Sequence, residues 1–376
     1  MKNPLRIKFG TDFHTNHKRV PAIITYKGIV EAFPLDVPVD IDLFINGGDW
    51  TDRQGTLSEQ DSYISMESAA HILKYCAKNN IKLRIVEGTR SHDRGQSMMF
   101  MEINRIHNLG CDVKYFRELT IEYIEDLGIN ILYLPDEWHH DPKETYRQAK
   151  ELMKARGLNK VDIAVVHGGF KFQFPNIDLP GLHDEVAWSE LVNYIILSGH
   201  IHKRGRCLKV QCGGAFNRHT HDDTDAKGHH EITIADDKVT SVKFIENKRA
   251  RVFISVEITG HEPKDIINLI LSETDKVPEG TAIRLEYREG DPIKAVREVV
   301  EAYFHHCVVT DTKIKEKGKK ETKRLFSSDV FKPVEITRFS VAKLITERME
   351  KKGDPDIVRD TAQALMKELI ENELRG

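Results

Sequence analysis

The N-terminal two thirds of the chain alternates short, unbroken apolar runs with longer amphipathic stretches. Leu43-Phe44-Ile45, Leu83-Arg84-Ile85-Val86, Ile131-Leu132-Tyr133-Leu134, Ile163-Ala164-Val165-Val166 and Tyr194-Ile195-Ile196-Leu197 are too short for helices. Near-continuous apolar runs of that length are the pattern of strands buried on both faces. Ile7 and Phe9 open a first core strand in the same way. Between the first two runs, Ile64, Ala69, Ile72, Leu73 and Cys76 repeat at helical spacing. Ser58, with Asp61 three residues on, supplies an N-cap, and Asn79-Asn80 stops the helix. Strands alternating with helices predict an α/β layered domain over residues 1–245.

Beyond residue 245 the texture changes. Val252 to Ile258 reads as a strand, Pro263 to Leu271 as a short helix, Ala282 to Tyr287 as a second strand, and Pro292 to about Phe304 as a helix. Residues 250–310 are therefore expected to form a compact α+β unit. A basic linker follows over 311–332, with Thr312 to Arg324 rich in Lys and lacking any apolar pattern. Residues 333–376 are expected to be helical, with Val341, Leu344, Ile345 and Met349 in one amphipathic stretch and Ile357, Ala362, Leu365, Met366 and Leu369 in the next. Gly353-Asp354-Pro355 breaks the two apart. There are no internal repeats.

Composition narrows the class without naming it. The chain has 376 residues, 40% hydrophobic and 31% charged, enough for two or three packed units. It has no apolar run of about 18 residues, so no membrane span is expected. Its first residues lack the pattern of a secretory signal. The five cysteines (76, 111, 207, 212 and 307) are scattered, with no C-x-x-C pair. That argues against a disulfide framework or zinc ribbon and for a reducing cytoplasm. The net charge of −3 offers no global attraction to nucleic acid, so such binding must rest on local patches.

The candidate chemistry sits just after the strands: Asp12-Phe13-His14, Gly47-Gly48-Asp49, Gly88-Thr89-Arg90-Ser91-His92-Asp93, Val166-His167-Gly168 and Gly199-His200-Ile201-His202. In open α/β folds, sites form beyond the carboxyl ends of strands, and glycines let the backbone turn tightly there. Each element alone is common; five in order converge on one metal site. Carboxylate and imidazole ligands without thiolate suit manganese, iron, zinc or magnesium. In a two-ion site one carboxylate is shared, and Asp49 is the natural bridge. Asp12, His14 and His202 then serve one ion, and His167 and His200 the other. His92 is left free to protonate a leaving oxygen.

This set resembles the calcineurin-like metallophosphoesterases, a β-sandwich flanked by helices. Within them it is most similar to the nuclease subunit of SbcCD-type DNA repair complexes, including bacteriophage recombination nucleases. The resemblance covers about residues 5–245 and, more weakly, the unit after 250, where those nucleases carry a DNA-capping domain. It implies a DNA exonuclease and endonuclease with two divalent ions, Mn2+ or alternatively Mg2+, and His92 and Asp93 as catalytic residues. It also implies an SMC-like ATPase partner bound through the C-terminal helices. A homodimer is compatible with it, as is a host-cell cytoplasm if the chain is viral. Gly213-Gly214-Ala215-Phe216-Asn217-Arg218 with Lys227 is similar to an element that contacts the DNA backbone, so Asn217, Arg218, Lys227 and Arg53 are expected DNA contacts.

Two departures qualify the match. The family's third motif places an Asn directly before the His-Asp pair, whereas Ser91 stands there in a loop two residues longer. Aligning on His92 makes Ser91 the expected ligand of the second ion. Asp52-Arg53-Gln54-Gly55 resembles protein phosphatases, which keeps a phosphomonoesterase open, although Thr15 departs from their pattern. A scaffold with a lost second ion is the third alternative. Glu137-Trp138-His139-His140-Asp141 is expected to be a loop near the cleft. His219, His221, Asp222, Asp223 and Asp225 are expected to form a solvated loop, and His229-His230 to have no chemistry.

Overall fold

Two six-stranded mixed sheets pack face to face, each covered by helices on its outer side, in a computed structural model. It describes residues 1–314 apart from 57, 58, 137, 176, 178, 275 and 276. The basic stretch beyond Ile314, the expected C-terminal helices, Ser58 and Glu137 lie outside the described residues.

The first sheet contains β1 (Leu5–Gly10), β2 (Leu43–Asn46), β3 (Lys82–Val86), β4 (Val113–Phe116), β11 (Gly228–Ala235) and β12 (Lys238–Glu246), in the order β12-β11-β1-β2-β3-β4. The second contains β5 (Thr120–Ile124), β6 (Ile129–Leu134), β7 (Val161–His167), β8 (Val192–Gly199), β9 (Gly205–Cys207) and β10 (Val210–Cys212), ordered β5-β6-β7-β8-β10-β9. Strands β1 to β4 run parallel, as do β6, β7, β8 and β10.

The side-chain period of two explains why the central strands read as unbroken apolar runs. Leu43 and Ile45 face the other sheet, beside Phe9, Ile131, Ile163, Val165 and Leu197. Phe44, between them, faces the helices α1 (Ala22–Ala32), α2 (Gln60–Lys78) and α3 (Met99–Ile106), with Ile29, Leu73 and Phe100. In the second sheet Leu132, Ala164 and Ile196 do the same toward α4 (Pro142–Ala155) and α5 (Glu185–Glu190), meeting Ala149, Met153 and Trp188. Each fully buried aliphatic side chain contributes about 1.5–3 kcal/mol. The platform under the loops is rigid for that reason.

A charged side chain crosses this apolar interior. Arg84 of β3, 2% exposed, meets Glu122 of β5 at 2.8 Å, and the Tyr133 hydroxyl donates to the same carboxylate at 3.0 Å. The run Leu83-Arg84-Ile85-Val86 thus carries its single charge into an inter-sheet ion pair. Asp112 also accepts from Arg84 at 2.9 Å and Lys114 also reaches Glu122 at 2.8 Å, so each charge has a second partner.

The expected helix over residues 58–78 is α2, and its N-cap residue is Glu59 rather than Ser58. The unit after 250 differs in type from the expected α+β fold. β13 (Phe253–Glu257), β14 (Ala282–Tyr287) and β15 (Val308–Lys313) are all parallel and are joined by α6 (Pro263–Ser272) and α7 (Ile293–Tyr303). Parallel neighbours need a crossover, and each helix supplies one. β15 also takes residues 311–313 from the expected linker into the sheet. Residues 1–314 form one compact unit. No helix among the described residues is long and apolar enough to cross a membrane.

Candidate metal centre

Five loops at the carboxyl ends of β1, β2, β3, β7 and β8 meet at one end of the sandwich. The parallel register that pairs Gly10 with Asn46 and His167 with Gly199 sets these strand ends side by side. Four residues there hold left-handed backbone without being glycine: Asp12 (φ 53°), His14 (φ 47°), Asp49 (φ 53°) and His200 (φ 83°). Such conformations cost about 1–3 kcal/mol each and gather where function over-determines the geometry. Glycine is needed beside them. A Cβ at Gly48 would lie 2.2 Å from His167 Nδ1, and one at Gly88 would lie 2.2 Å from the Asp49 amide nitrogen.

Asp49 is 1% exposed, and its Oδ2 is the hub. It lies 2.8 Å from His92 Nδ1, 3.4 Å from His167 Nε2 and 3.8 Å from His14 Nε2. On the His14 side, His14 Nε2 and His202 Nε2 are 3.0 Å apart, and Asp12 Oδ1 is 3.6 Å from His202 Nε2. On the other side, His167, His200 and Asp49 bring their donor atoms within 4.8 Å of one another. Two donors bound to one ion at right angles, at about 2.1 Å each, sit about 3 Å apart. These buried His and Asp clusters have the spacing and chemistry to hold a metal ion.

The surroundings orient the rings. His167 Nδ1 donates to the Gly47 carbonyl at 2.7 Å, which turns Nε2 toward Asp49. The Asp52 carboxylate stands 3.3 Å from His14 Nδ1, while Nε2 of that ring faces Asp49 and His202. The His200 amide donates to both oxygens of Asp12 at 3.1 Å. Burial alone would raise the Asp49 carboxyl; His167 and His92 more than offset it and hold the group well below the usual carboxylate range. Burial keeps His202 low and His219 very low, as neutral rings with lone pairs to give.

The structure brings Asp12, His14, Asp49, His167, His200 and His202 together, with His92 at the rim. It does not bring Ser91. The His92 and Asp93 amides donate to the Thr89 carbonyl at 2.8 and 2.9 Å, a turn that throws Arg90 and Ser91 outward to solvent. Thr89 stands in the expected place of Ser91. Its Oγ1 is 3.2 Å from Asp49 Oδ2, 3.3 Å from His167 Nε2 and 3.2 Å from His200 Nδ1.

Asp93 is likewise corrected, from a catalytic to a positioning residue. It is wholly buried and accepts from the amides of Asp49, Thr51 and Gly88 at 3.1, 3.0 and 2.9 Å. It ties the Asp49 loop to the Gly88 loop. Burial first, then the Asp49 charge, push its carboxyl up to about 7.

Three expected DNA contacts are internal fasteners. Asn217 is 0% exposed, accepts from the Arg251 amide at 2.7 Å and donates to Thr25, joining the sandwich to the chain entering the small sheet. The Arg218 guanidinium donates to the Asp225 and Arg251 carbonyls. Lys227 is 1% exposed and pairs with Asp223 and Asp225. Arg53 alone of the four stands at the rim, paired with Glu59 at 2.8 Å.

Two further residues beside the site were not singled out for it. Asp52, behind His14, lay in a motif read for its phosphatase likeness. His219, expected in solvent, is 2% exposed and packs against His14 and His202. The stacked rings of His139 and His140 line a separate cleft of about 670 Å³ that reaches His200, as expected of that loop. His229 and His230 are buried in β11 against Phe33, Phe9 and Phe244.

No family model matches the sequence, and no curated protein matches it. Solved structures do align. One crystal structure is 9% identical over 65% of this chain and 100% of that chain, with a TM-score of 0.38. Another is GAP50, the anchor in the inner membrane complex of Plasmodium, 11% identical over 66% of this chain and 87% of its own, with a TM-score of 0.37. Likenesses this distant define neither a family nor a function.

Proposed function

We propose that the chain is a metallophosphoesterase that hydrolyses phosphodiester bonds in DNA with two divalent cations. The observation that carries this reading is the single Asp49 oxygen facing His14 on one side and His167 on the other. One carboxylate between two imidazole groups is the requirement of a bridged ion pair. Asp12, His14, Asp49 and His202 would hold one ion, and Asp49, His167, His200 and Thr89 the other. When bound, such a pair supplies Lewis acidity toward a phosphate and lowers the pKa of an attacking water.

The chain's own residues do the rest. His92 is 32% exposed on its side chain, so it can reach a substrate, and its hydrogen bond to Asp49 raises its pKa against the opposing effect of burial. With Nδ1 turned to Asp49, Nε2 is the nitrogen left to carry a proton to the departing oxygen. A polyanion is favoured over a small monoester by the cleft that continues from His17. It measures about 600 Å³ and presents Lys18, Arg19, His221 and Arg284 along the small domain's edge. These replace Asn217, Arg218 and Lys227 as the groups offered to a phosphate backbone. The SMC-like partner and C-terminal docking belong to the same proposal, on residues outside those described.

The test compares purified full chain with Mn2+ on end-labelled duplex DNA, single-stranded DNA, bis-p-nitrophenyl phosphate and p-nitrophenyl phosphate. DNA and the diester are expected to be cut, with activity abolished by chelator and DNA cleavage falling as salt rises. Preferential turnover of the monoester would overturn the nuclease reading. Within the same assay, Thr89→Ala is expected to raise the Mn2+ concentration for half-maximal rate about tenfold or more. Ser91→Ala should leave it unchanged, and the reverse order would restore the ligand to Ser91.

A further inference from the structure

We infer that His219 is a further protein ligand of the ion held by Asp12, His14 and His202, an inference that rests on the two-ion reading above. His219 is 2% exposed, and neither of its ring nitrogens has a hydrogen-bond partner among the described residues. Buried polar atoms are nearly always satisfied, so an orphaned ring calls for a missing partner. Its neighbours identify that partner as a cation. The ring centroid is 4.7 Å from that of His14 and 5.1 Å from that of His202. One nitrogen from each of the three lies within 4.8 Å of the others. His229 makes the contrast. Its nitrogens are also unpartnered, but its ring packs on Phe33 at 4.9 Å, an apolar setting that offers nothing to ligate.

The loop that delivers His219 is built for the purpose. Asp223 Oδ2 accepts from the His219 and Thr220 amides at 2.9 and 3.2 Å, closing the chain into a tight turn. Lys227, buried beneath it, pairs with Asp223 Oδ1 at 3.1 Å and donates to the His202 carbonyl at 2.8 Å. One lysine thus locks the His219 turn to the backbone of His202. This explains why that lysine is withdrawn from solvent. Three imidazoles gathered at one position favour a cation that accepts nitrogen ligands, such as Zn2+ or Mn2+, over Mg2+, which prefers oxygen and retains its waters.

The test is calorimetric titration of Mn2+ into the full chain, as wild type, His219→Ala, His219→Gln and His107→Ala, the last at an exposed histidine on the end of α3. The His219 variants are expected to weaken one of the two ions at least about tenfold, with His107→Ala unchanged. Superimposable isotherms for wild type and folded His219→Ala would overturn the assignment while leaving the two-ion reading intact. If the wild type bound no Mn2+, the two-ion reading itself would fall. Should the variants not fold, wild-type crystals grown with Mn2+ decide. A His219 nitrogen within about 2.3 Å of the ion supports ligation, and one beyond about 3 Å refutes it.

Discussion

Asp49→Ala is expected to reduce Mn2+-dependent hydrolysis of bis-p-nitrophenyl phosphate to the uncatalysed background. The physical reason lies in the oxygen that both histidine groups share. Asp49 Oδ2 is 3.8 Å from His14 Nε2 and 3.4 Å from His167 Nε2, and no other carboxylate among the described site residues faces both. Asp12 lies on the His14 and His202 side and is committed to the His200 amide. Asp93 spends its oxygens on backbone amides. No neighbour can therefore stand in for the bridge. The variant removes the anion that would offset the charge of both cations, so loss of bound Mn2+ should accompany loss of rate. Steady-state kinetics with metal analysis checks both, and an Asp49→Ala protein with normal turnover would exclude the bridging role.

The second large effect is expected at His92, with a different signature. Its ring is the most open of those touching Asp49, and its Nδ1 is fixed at 2.8 Å from Asp49 Oδ2. The other nitrogen is left for the substrate side. His92→Gln should keep Mn2+ and DNA binding and lose about 10²–10⁴-fold in kcat, the range for removing a general acid. The loss should also shrink for esters with good leaving groups, because p-nitrophenolate departs without help. An equal loss on DNA and on bis-p-nitrophenyl phosphate, or a loss of Mn2+, would make His92 a structural or ligating residue instead.

The strand-end loops were legible in the sequence because their signals are local. Asp12-x-His14, Gly48-Asp49 and Gly199-His200-x-His202 each combine ligand chemistry with tight backbone, and the buried strands before them are unmistakably apolar. Thr89 was not legible. Aligning the third loop from His92 backward treats the chain as extended, whereas the turn closed on the Thr89 carbonyl loops out Arg90 and Ser91. His219 was hidden for another reason. His-Thr-His-Asp-Asp is as polar as a solvated loop, and its burial follows from a lysine eight residues later and from backbone on another element. The same buried ion pairs misled the reading of Lys227 as a surface cation. Two of the small domain's three strands were found and β15 was not, while their parallel order depends on which edge each helix crosses, and that is set by tertiary packing.

The most direct measurement is anomalous diffraction at the manganese edge from crystals of the full chain grown with Mn2+. Two peaks are expected, one beside Asp12, His14 and His202 and the other beside His167 and His200, with Asp49 Oδ2 between them. A single peak at saturating Mn2+, or none, would contradict the two-ion site and the phosphodiesterase chemistry built on it.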